Sequence, residues 1–398
     1  MEKQYRIAYF CDGHIGSTMP LVKRLVEKGI AVDVYFWAIG GVHQLESITC
    51  DYKPTEYGVQ MVPVSERGSL NDYIQNPLFH FFCINIPFLF LEFRPLRVLI
   101  NQITNKFIHK KINKLINSKG YDKLVFVGRY NSSSHFHNLL TNLHGEKYID
   151  LHEVCNHSNK DFSQKTSIIE YVINSKADII LHSKNSYRDI LNYEGIVKDK
   201  VHICPFGNFE MYSTIKPDTS IIPSKVDDYI LYFGIISHYK GLDILLKAVL
   251  SIEDNIKVVI AGKGNDGSLV EMQKDSRFHI INRFLSSEEL VALISHCRAV
   301  VCPYRTMSQS GIPQTVFVFD KPIIASDLDG FKEIIHDGVN GLLFKSENSE
   351  DLACAIQKCY QNDIYDTLVS GVSEIDNLDN KFSWLNITNK HISILNIK

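Results

Sequence analysis

One cation of the C-terminal half stands where a phosphate ligand is expected. Lys240 lies in a loop, 234–241, that follows a candidate strand and leads into an amphipathic helix. The mouth of such a strand–loop–helix unit commonly binds anions, because backbone N–H groups and the helix dipole make it positive. Lys240 is therefore a candidate ligand for a phosphate, and a solvated loop lysine is the alternative interpretation.

Two further loops of the same half offer backbone groups and hydroxyls. Gly262 and Gly264 permit a sharp turn and a close approach to a ligand, although a turn without a ligand needs the same glycines. The segment 301–313 leads into an apolar helix, whose N-terminus would hold a diphosphate. Simple helix capping by Ser310 is the alternative. The polar and small residues of this segment are Tyr304, Ser308, Gln309, Ser310 and Gly311, followed by Ile312.

Four further polar residues have ordinary interpretations when taken alone. His152 and Glu153 follow a candidate strand of the N-terminal half, where the default is a surface histidine with a helix-capping glutamate. Arg283 follows the third candidate strand of the second half and is by default a surface arginine. Glu333 is either a site carboxylate or part of a first helical turn, where negative charge is favoured.

The elements that must position these residues alternate between strand-like and helix-like patterns in both halves. This alternation is typical of parallel sheets built from βαβ units and predicts an α/β fold. The 398 residues exceed the ~100 to 200 of one domain, so two domains are expected. The pattern lapses between Tyr212 and Asp228, where Pro217 and Pro223 stand, and the domain boundary is expected there.

The apolar pattern also gives the bounds of these elements. The expected strands of the first half are 7–10, 32–36, 59–64, 123–127, 148–151, 179–181 and 202–204. Those of the second half are 229–233, 257–261, 279–282, 299–302, 322–325 and 342–344. The expected helices are 17–28, 168–173, 185–191 and 288–296, the last opened by a capping box of Ser286 and Glu289.

The composition is that of an ordinary globular protein, with 45% apolar and 22% charged residues and a net charge of -3. A basic segment between Arg94 and Lys123 has no recognised nucleic-acid motif, so no nucleic-acid partner is expected. The cysteines are scattered, without a CxxC pair or a Cys/His cluster, which favours a reduced, cytoplasmic setting and no metal site. No cofactor is expected, and no signal peptide is recognised at the N-terminus.

Taken in order, these segments resemble the retaining GT-B glycosyltransferases of family 4 (glycosyl transferases group 1), especially the branch that makes bacterial surface polysaccharides such as O-antigen or capsule. That branch has a Gly-Arg-Ile-x-x-Tyr-Lys-Gly loop, a Gly-x-Gly turn and a Gln-Ser-Gly segment. Its tail is of the type Lys-Pro-Val-Ile-Ala, with Gly-x-x-Glu-Ile-Ile and Asn-Gly-Leu-Leu. The likeness spans nearly the whole chain and includes the glycine-rich first loop, 12–17. The counterparts in the second half are 234–241, 262–264, 309–311, 321–325, 330–335 and 340–343.

The resemblance implies two Rossmann-like domains that face each other across a cleft. Residues 1–211 would bind the acceptor, 212–228 would be a linker, 229–378 would bind the nucleotide-sugar donor, and 379–398 would form a helix crossing back to the first domain. His152 and Glu153, a pair at a strand end, would act beside the donor sugar. Arg283 would bind the uracil or guanine end of the donor. The residues implied in donor binding are Gly16, Gly234, Lys240, Gly262, Gly264, Arg283, Tyr304, Ser308, Gln309, Ser310, Gly311, Ile312, Thr315 and Glu333.

The resemblance further implies transfer of a hexose from a UDP- or GDP-linked sugar, with retention of anomeric configuration and without a metal. The acceptor would be a polyprenyl-diphosphate-linked glycan, and the protein would be peripheral on the inner face of the cell membrane. A catalytically silent relative that binds a partner in a glycan-assembly complex is one alternative. A dinucleotide-dependent oxidoreductase is another, but no GxGxxG fingerprint occupies the required place.

Three positions depart from the family pattern. The arginine of the lysine loop is Ile235 here, which removes a bidentate phosphate ligand. Two glutamates, spaced Glu-x7-Glu in the family, are replaced by Met307 and Thr315. Loss of a ribose ligand of this kind costs on the order of 1.5 to 3 kcal/mol of binding. Activity is still expected, with the donor held by backbone groups, Lys240 and Arg283.

The segment 78–91 is rich in aromatic and aliphatic residues but shorter than the ~20 residues that span a bilayer. Together with the basic residues that follow, it resembles a surface that dips into an anionic leaflet, where each cation contributes about 1 kcal/mol. The alternative is that 78–91 packs as a helix into the N-terminal core. The basic residues are Lys106, Lys110, Lys111, Lys114 and Lys119.

Overall fold

The computed structural model describes residues 4–39, 45, 50, 52–87, 94–128, 134–152, 154, 167–224, 226, 228–307, 310–374 and 380–398. These residues form two α/β units. Unit 1 takes the described residues of Met1–Val154, Asp161–Pro205 and Trp384–Lys398, and unit 2 takes those of Phe206–Ser383. The segment 212–228, expected to be a linker, therefore lies within unit 2.

The sheet of unit 1 has the strand order β3-β4-β2-β1-β5-β6-β7-β8. All neighbouring strands are parallel except β3, which runs antiparallel to β4. The central strands are buried on both faces because helices cover a parallel sheet from both sides. The described strands are β1 (Arg6–Asp12), β2 (Ala31–Ile39), β3 (Gly58–Met61), β4 (Phe79–Ile86), β5 (Lys123–Gly128), β6 (Glu146–Leu151), β7 (Asp178–Leu181) and β8 (Val201–Ile203).

The last helix of the chain, Trp384–Ile394, also belongs to unit 1 and packs against its first helix. The guanidinium of Arg24 lies 5.4 Å from the centroid of the Trp384 ring across this contact. Within the described residues, none of the helices combines the length and the apolarity needed to cross a lipid bilayer. The other described helices of unit 1 are α1 (Ile15–Glu27), α2 (Ser69–Tyr73), α3 (Arg94–Ser118), α4 (Ser134–Asn142), α5 (Ser167–Ser175) and α6 (Lys184–Ile190).

Most of the aromatic segment 78–91 is an interior strand. Phe79–Ile86 forms β4, which lies between β2 and β3 in the sheet. Phe81 and Ile84 are fully buried. The expected membrane-dipping surface is therefore wrong for these residues, and the core-packing alternative is right about burial but wrong about the helix. Residues 88–91 lie outside the described residues.

The sheet of unit 2 has the order β11-β10-β9-β12-β13-β14, with all neighbours parallel. The order reverses between β9 and β12, and ligands of such sheets bind at this switch, outside the carboxyl ends of the strands. The strands are β9 (Tyr229–Phe233), β10 (Lys257–Ala261), β11 (Phe278–Ile281), β12 (Ala299–Cys302), β13 (Ile323–Ser326) and β14 (Gly341–Phe344). The described helices are α7 (Leu242–Ser251), α8 (Ser268–Met272), α9 (Ser287–His296), α10 (Ile312–Val316), α11 (Asp329–Lys332), α12 (Ser349–Cys359) and α13 (Asn362–Ser373).

The strand register of unit 2 brings the candidate loops together. Phe233 at the end of β9 pairs with Ala261 of β10, and Ala261 pairs with Ile281 of β11. The loops after these strands therefore begin side by side. At the start of α9 the expected capping box of Ser286 and Glu289 is confirmed.

Candidate functional site

The loop after β9 is shaped by two glycines in the left-handed region. Gly234 has φ 107° and Gly241 has φ 68°, values that residues with a Cβ avoid. Between them, the 3-10 turn His238–Lys240 leads to the N-terminus of α7. A Cβ on Gly241 would lie 1.9 Å from the carbonyl oxygen of Pro303. This glycine therefore lets the loop pack directly against the segment that follows β12.

Lys240 is a buried cation, with 9% of its surface exposed. Its Nζ lies 5.2 Å from the centroid of the Tyr304 ring, and Tyr304 itself is 4% exposed. Among the described residues, nothing forms an ion pair or a hydrogen bond with this ammonium. Burial lowers the pKa of Lys240 below its ordinary value, and the nearby Cys302 partly opposes that shift. Because buried charges are normally paired, an anion is the expected ligand.

Gly262 and Gly264 let the loop after β10 run against the loop after β9. A Cβ on Gly262 would lie 1.9 Å from Gly234 O, and one on Gly264 would lie 2.1 Å from Ile236 O. The backbone N–H of Ile236 donates to Lys263 O across this contact at 3.0 Å. Packing of the two loops by itself requires both glycines, as the ligand-free interpretation of the turn expects.

Asn282 is a residue of this region that the sequence did not indicate. It follows β11 and bonds both backbone groups of Gly264. Its Nδ2 donates to Gly264 O at 3.0 Å, and its Oδ1 accepts from Gly264 N at 3.1 Å. A polar residue at a strand end was its only signal. Asn282 thereby fixes the tip of the glycine turn.

Arg305, also absent from the sequence-based candidates, fastens the Lys240 loop to the segment after β12. Its backbone N–H donates to Tyr239 O at 2.8 Å. Its Nη1 donates to His238 O at 2.8 Å, and its Nη2 donates to Asp243 Oδ2 at 2.7 Å. This hydrogen bond lowers the pKa of Asp243, in the first turn of α7. The guanidinium of Arg305 is thus engaged in holding the turn that carries Lys240.

The segment before α10 uses its hydroxyls within the protein. Gly311 is the N-cap residue of α10, and Ser310 Oγ accepts from Ile312 N at 3.3 Å. Thr315 Oγ1 donates to Gly311 O at 3.0 Å. Ser310 therefore contributes to the helix start, as the capping interpretation expects, although Gly311 occupies the cap position. Outside the described residues lie Ser308 and Gln309.

Arg283 has surroundings that explain it without a ligand, and Glu333 does not lie where the first-turn interpretation places it. Arg283 forms a two-point ion pair with Glu289, at 2.6 Å and 2.7 Å, and half of its side chain is exposed. The hydrogen bond lowers the pKa of Glu289. Glu333 follows α11 as its C-cap residue, so its placement in a first helical turn is wrong. Their roles in donor binding are implied by the resemblance alone.

The three departures from the family pattern differ in their surroundings. Ile235 is 59% exposed. Met307 packs against Gly330, where an added Cβ would lie 2.8 Å from Met307 Cε. Thr315 is buried, with its hydroxyl bonded within α10. An apolar thioether therefore occupies the place at which the family has its first glutamate.

A second group of candidates lies at the carboxyl ends of β1 and β6 in unit 1. His152 follows β6 and is 7% exposed. Its ring stacks on that of His14, with centroids 3.8 Å apart and planes inclined by 15°. His14 is the N-cap of α1 and has a left-handed backbone with φ 54°, which is uncommon for a residue with a Cβ. Gly16 is buried in the first turn of α1. Glu153 lies outside the described residues.

A buried polar chain continues below His152. Its Nε2 lies 3.4 Å from Asp150 Oδ1, and the same oxygen lies 2.6 Å from His182 Nε2. His182 Nδ1 lies 2.7 Å from Cys204 O. Asp150 and His182 were not sequence-based candidates, although Asp150 precedes His152 by two residues and so points to the same face of the sheet.

Comparison with solved structures identifies the class of fold. The crystal structure of Anabaena Alr3699/HepE in complex with UDP matches 99% of this chain and 100% of its own, with a TM-score of 0.62 and 14% identity. The chain has the GT-B fold of glycosyltransferases. Within that class, residues 227–362 match the family Glycosyl transferases group 1.

Two relatives show how far the sequence similarity extends. The uncharacterized glycosyltransferase MJ1178 of Methanocaldococcus jannaschii is 30% identical over 157 residues, which are 39% of this chain and 44% of that protein. The GDP-mannose:glycolipid 4-beta-D-mannosyltransferase of Xanthomonas campestris pv. campestris is 25% identical over 157 residues, 37% of this chain and 43% of that protein. The matches therefore span less than half the length of each of these relatives.

Proposed function

We propose that the protein transfers a hexose from a nucleoside diphosphate sugar to the lipid-linked precursor of a surface polysaccharide, with retention of anomeric configuration. One observation carries the proposal: Lys240 is a buried cation for which the described residues supply no anionic partner. It follows β9, at the point where the strand order of the sheet reverses. The diphosphate of a sugar donor is the anion that fits such a place in a glycosyltransferase.

The proposed chemistry needs little beyond placement and charge. The bond between the anomeric carbon and the diphosphate oxygen breaks, and negative charge grows on the leaving group. The ammonium of Lys240 and backbone N–H groups stabilise that charge, an effect that is strongest where water is excluded. The acceptor oxygen bonds to the anomeric carbon on the face that the diphosphate leaves, and its proton passes to a phosphate oxygen of the leaving group.

The names of the similar proteins support the substrate class. The Xanthomonas protein is named for GDP-mannose and a glycolipid, and the Anabaena protein was crystallised with UDP. The donor proposed for this chain is accordingly a UDP- or GDP-linked hexose. The proposed acceptor is a polyprenyl-diphosphate-linked glycan.

His152 is the residue of unit 1 that we assign to the sugar end of the reaction, with Glu153 as its neighbour in sequence. Its support is a buried position at the carboxyl end of β6, beside the loop after β1. The donor-binding roles proposed on the resemblance are those of Gly16, Gly234, Gly262, Gly264, Arg283, Tyr304, Ser308, Gln309, Ser310, Gly311, Ile312, Thr315 and Glu333.

Helix α3 carries the surface proposed to meet the membrane. Phe107 is 73% exposed and Ile103 is 51% exposed, while Ile112 and Ile116 are buried against the sheet. A helix that exposes aromatic, aliphatic and basic side chains together fits the surface of an anionic leaflet. We therefore propose a cytoplasmic protein that is peripheral on the inner face of the cell membrane. The exposed lysines of α3 are Lys106, Lys110, Lys111 and Lys114.

The test is nucleotide release from UDP- and GDP-sugars by the purified protein, with a polyprenyl-diphosphate glycan as acceptor. Release of UDP or GDP that depends on the acceptor is the expected result. The loss of charged groups at Ile235 and Met307 favours a second candidate, a silent glycan-assembly partner. That candidate predicts neither nucleotide release nor thermal stabilisation by UDP or GDP, and this pair of results would overturn the transferase proposal.

A further inference from the structure

The polar chain below His152 requires a hydrogen at one particular place. His182 Nδ1 must donate to Cys204 O at 2.7 Å, because a backbone carbonyl only accepts. On its other side, His182 Nε2 lies 2.6 Å from Asp150 Oδ1. This contact also needs a hydrogen on one of its two atoms. The hydrogen belongs either to Nε2 of an imidazolium or to Oδ1 of a neutral carboxylic acid.

In both cases the Asp150–His182 pair shares one hydrogen and has no net charge. Asp150 is 7% exposed and His182 is 8% exposed. A lone charge at such a place carries a large desolvation cost, which a neutral, hydrogen-bonded pair avoids. The pair therefore holds the carboxyl group of Asp150 in a fixed position.

A metal ion is the rival occupant of this place. Asp150, His152 and His182 offer ligand atoms that lie within 4.8 Å of one another. Zinc bonds of ~2.0 to 2.1 Å in tetrahedral geometry keep two ligand atoms roughly 3.3 Å apart. The separation of 2.6 Å between His182 Nε2 and Asp150 Oδ1 is instead a hydrogen-bond distance. The geometry thus favours a hydrogen over a metal.

The fixed carboxyl group also faces His152, whose Nε2 lies 3.4 Å from Asp150 Oδ1. A carboxyl oxygen at this distance attracts an N–H group and repels a nitrogen lone pair, so it favours the tautomer with hydrogen on Nε2. The stack on His14 limits rotation of the His152 ring. Both influences select one state of His152.

We propose that Asp150 and His182 are positioning residues whose shared hydrogen anchors the carboxyl group that sets the tautomer and orientation of His152. The consequence for catalysis rests on the proposed function, since that function assigns His152 to the transfer reaction. The tautomer of His152 does not depend on it. The other titratable groups around the pair are Tyr9 and Cys11 of β1, His14, Cys204 and His391 of the C-terminal helix.

The experiment compares the histidine ring NMR signals of the full-length wild type and Asp150→Asn, assigned with His152→Gln and His182→Gln variants. Asp150→Asn keeps the side-chain shape, and its amide N–H still donates to His182 Nε2. We expect His152 to carry its hydrogen on Nε2 in the wild type and to become a mixture of tautomers in Asp150→Asn. The kcat should fall at least about tenfold with little change in the KM of the donor, because partners of orienting histidines act on the rate.

The chain offers a matched control. Asp178 and His202 form another Asp–His pair of unit 1, 3.2 Å apart, on β7 and β8, and about a third exposed. Asp178→Asn should leave both the His152 tautomer and kcat unchanged. If Asp150→Asn does not fold, Asp150→Ser removes the carboxyl oxygen that faces His152 and should produce the same mixture of tautomers.

Three results would overturn the proposal: hydrogen on Nδ1 of His152 in the wild type, an unchanged tautomer in Asp150→Asn, or one zinc ion per chain whose removal by a chelator shifts the His182 signals. A wild type that shows the expected tautomer but transfers no sugar would contradict the proposed function and leave the positioning role intact.

Discussion

The ammonium of Lys240 lies over the Tyr304 ring, 5.2 Å from its centroid, and this contact joins the loop after β9 to the segment after β12. A cation over an aromatic face gains about 0.5 to 2 kcal/mol, which is less than the desolvation cost of a buried ammonium. The lowered pKa of Lys240 reflects that imbalance. A bound diphosphate would reverse the shift and raise the pKa again.

Lys240→Ala should therefore reduce donor turnover at least about tenfold, which corresponds to about 1.4 kcal/mol of transition-state stabilisation. Ile235 leaves no loop arginine to share the charge of the diphosphate. Nucleotide release from the donor sugar is the measurement. The matched control is Lys247→Ala, an exposed lysine of α7, which should keep wild-type turnover. Near wild-type kinetics of Lys240→Ala would remove the phosphate assignment.

Gly262→Ala should destabilise the protein by about 1 to 3 kcal/mol, the range for backbone strain and overpacking. Gly262 has φ 148°, and its added Cβ would lie 1.9 Å from Gly234 O. Gly267 is the control, because it meets nothing within 4 Å and has ordinary φ. Urea unfolding of both alanine variants gives the comparison. Equal free energies of unfolding for the two alanine variants would contradict the predicted destabilisation of Gly262→Ala.

His391 should make stability depend on pH. Burial lowers its pKa from 6.5 to about 4, and its Nε2 lies 2.7 Å from Tyr9 OH. Because the pKa is depressed in the folded chain, the unfolded chain takes up the proton first as the pH falls. The contribution of neutral His391 to the free energy of unfolding is complete above pH 6.5. It is lost progressively toward about pH 4, where the loss approaches about 3 kcal/mol.

The measurement for His391 is the free energy of unfolding between about pH 4 and about pH 7. His391→Gln should show a shallower loss of stability toward acid than the wild type. His279→Gln, at an exposed position of β11, should retain the wild-type slope. Parallel curves for wild type and His391→Gln would contradict the assignment.

Replacement of Lys110, Lys111 and Lys114 by glutamine should release the protein from anionic vesicles. Each cation near such a surface contributes about 1 kcal/mol, so the triple variant should bind on the order of a hundredfold more weakly. Flotation with vesicles of phosphatidylglycerol and phosphatidylcholine measures the binding. A triple glutamine variant of Lys198, Lys274 and Lys358, which are exposed on other elements of the chain, should float like the wild type. Unchanged flotation after the α3 replacements would exclude this helix as the membrane surface.

The local sequence pattern predicts much of the fold. The elements that it does not predict were missed for physical reasons. The expected strands 229–233, 257–261 and 299–302 coincide with β9, β10 and β12. The strand β4 was missed because a strand buried on both faces has no alternation of polar and apolar residues. The helix α3 was missed because exposed Phe107 and Ile103 among its lysines blur the helical period.

The residues of the candidate site likewise divide into those that the local sequence predicts and those that it does not. Lys240 and the glycine turns are predictable because their loops depend on neighbours a few residues away. The bond from Arg305 to Asp243 spans 62 residues, and that from His182 to Asp150 spans 32. No local motif encodes such pairs, since the fold alone brings them together. Sequence reasoning therefore found the candidate anion ligand but missed the residues that hold it and His152 in place.

The position of the C-terminal helix has a consequence for how the chain is made. Trp384–Ile394 contributes the buried Thr388 and His391 to unit 1 and covers α1, whereas the described residues of unit 2 all precede it in the sequence. Domains usually fold as units in the order of their synthesis. Here unit 2 leaves the ribosome whole while α1 still lacks its partner helix. Unit 1 is therefore completed only after unit 2 has been translated.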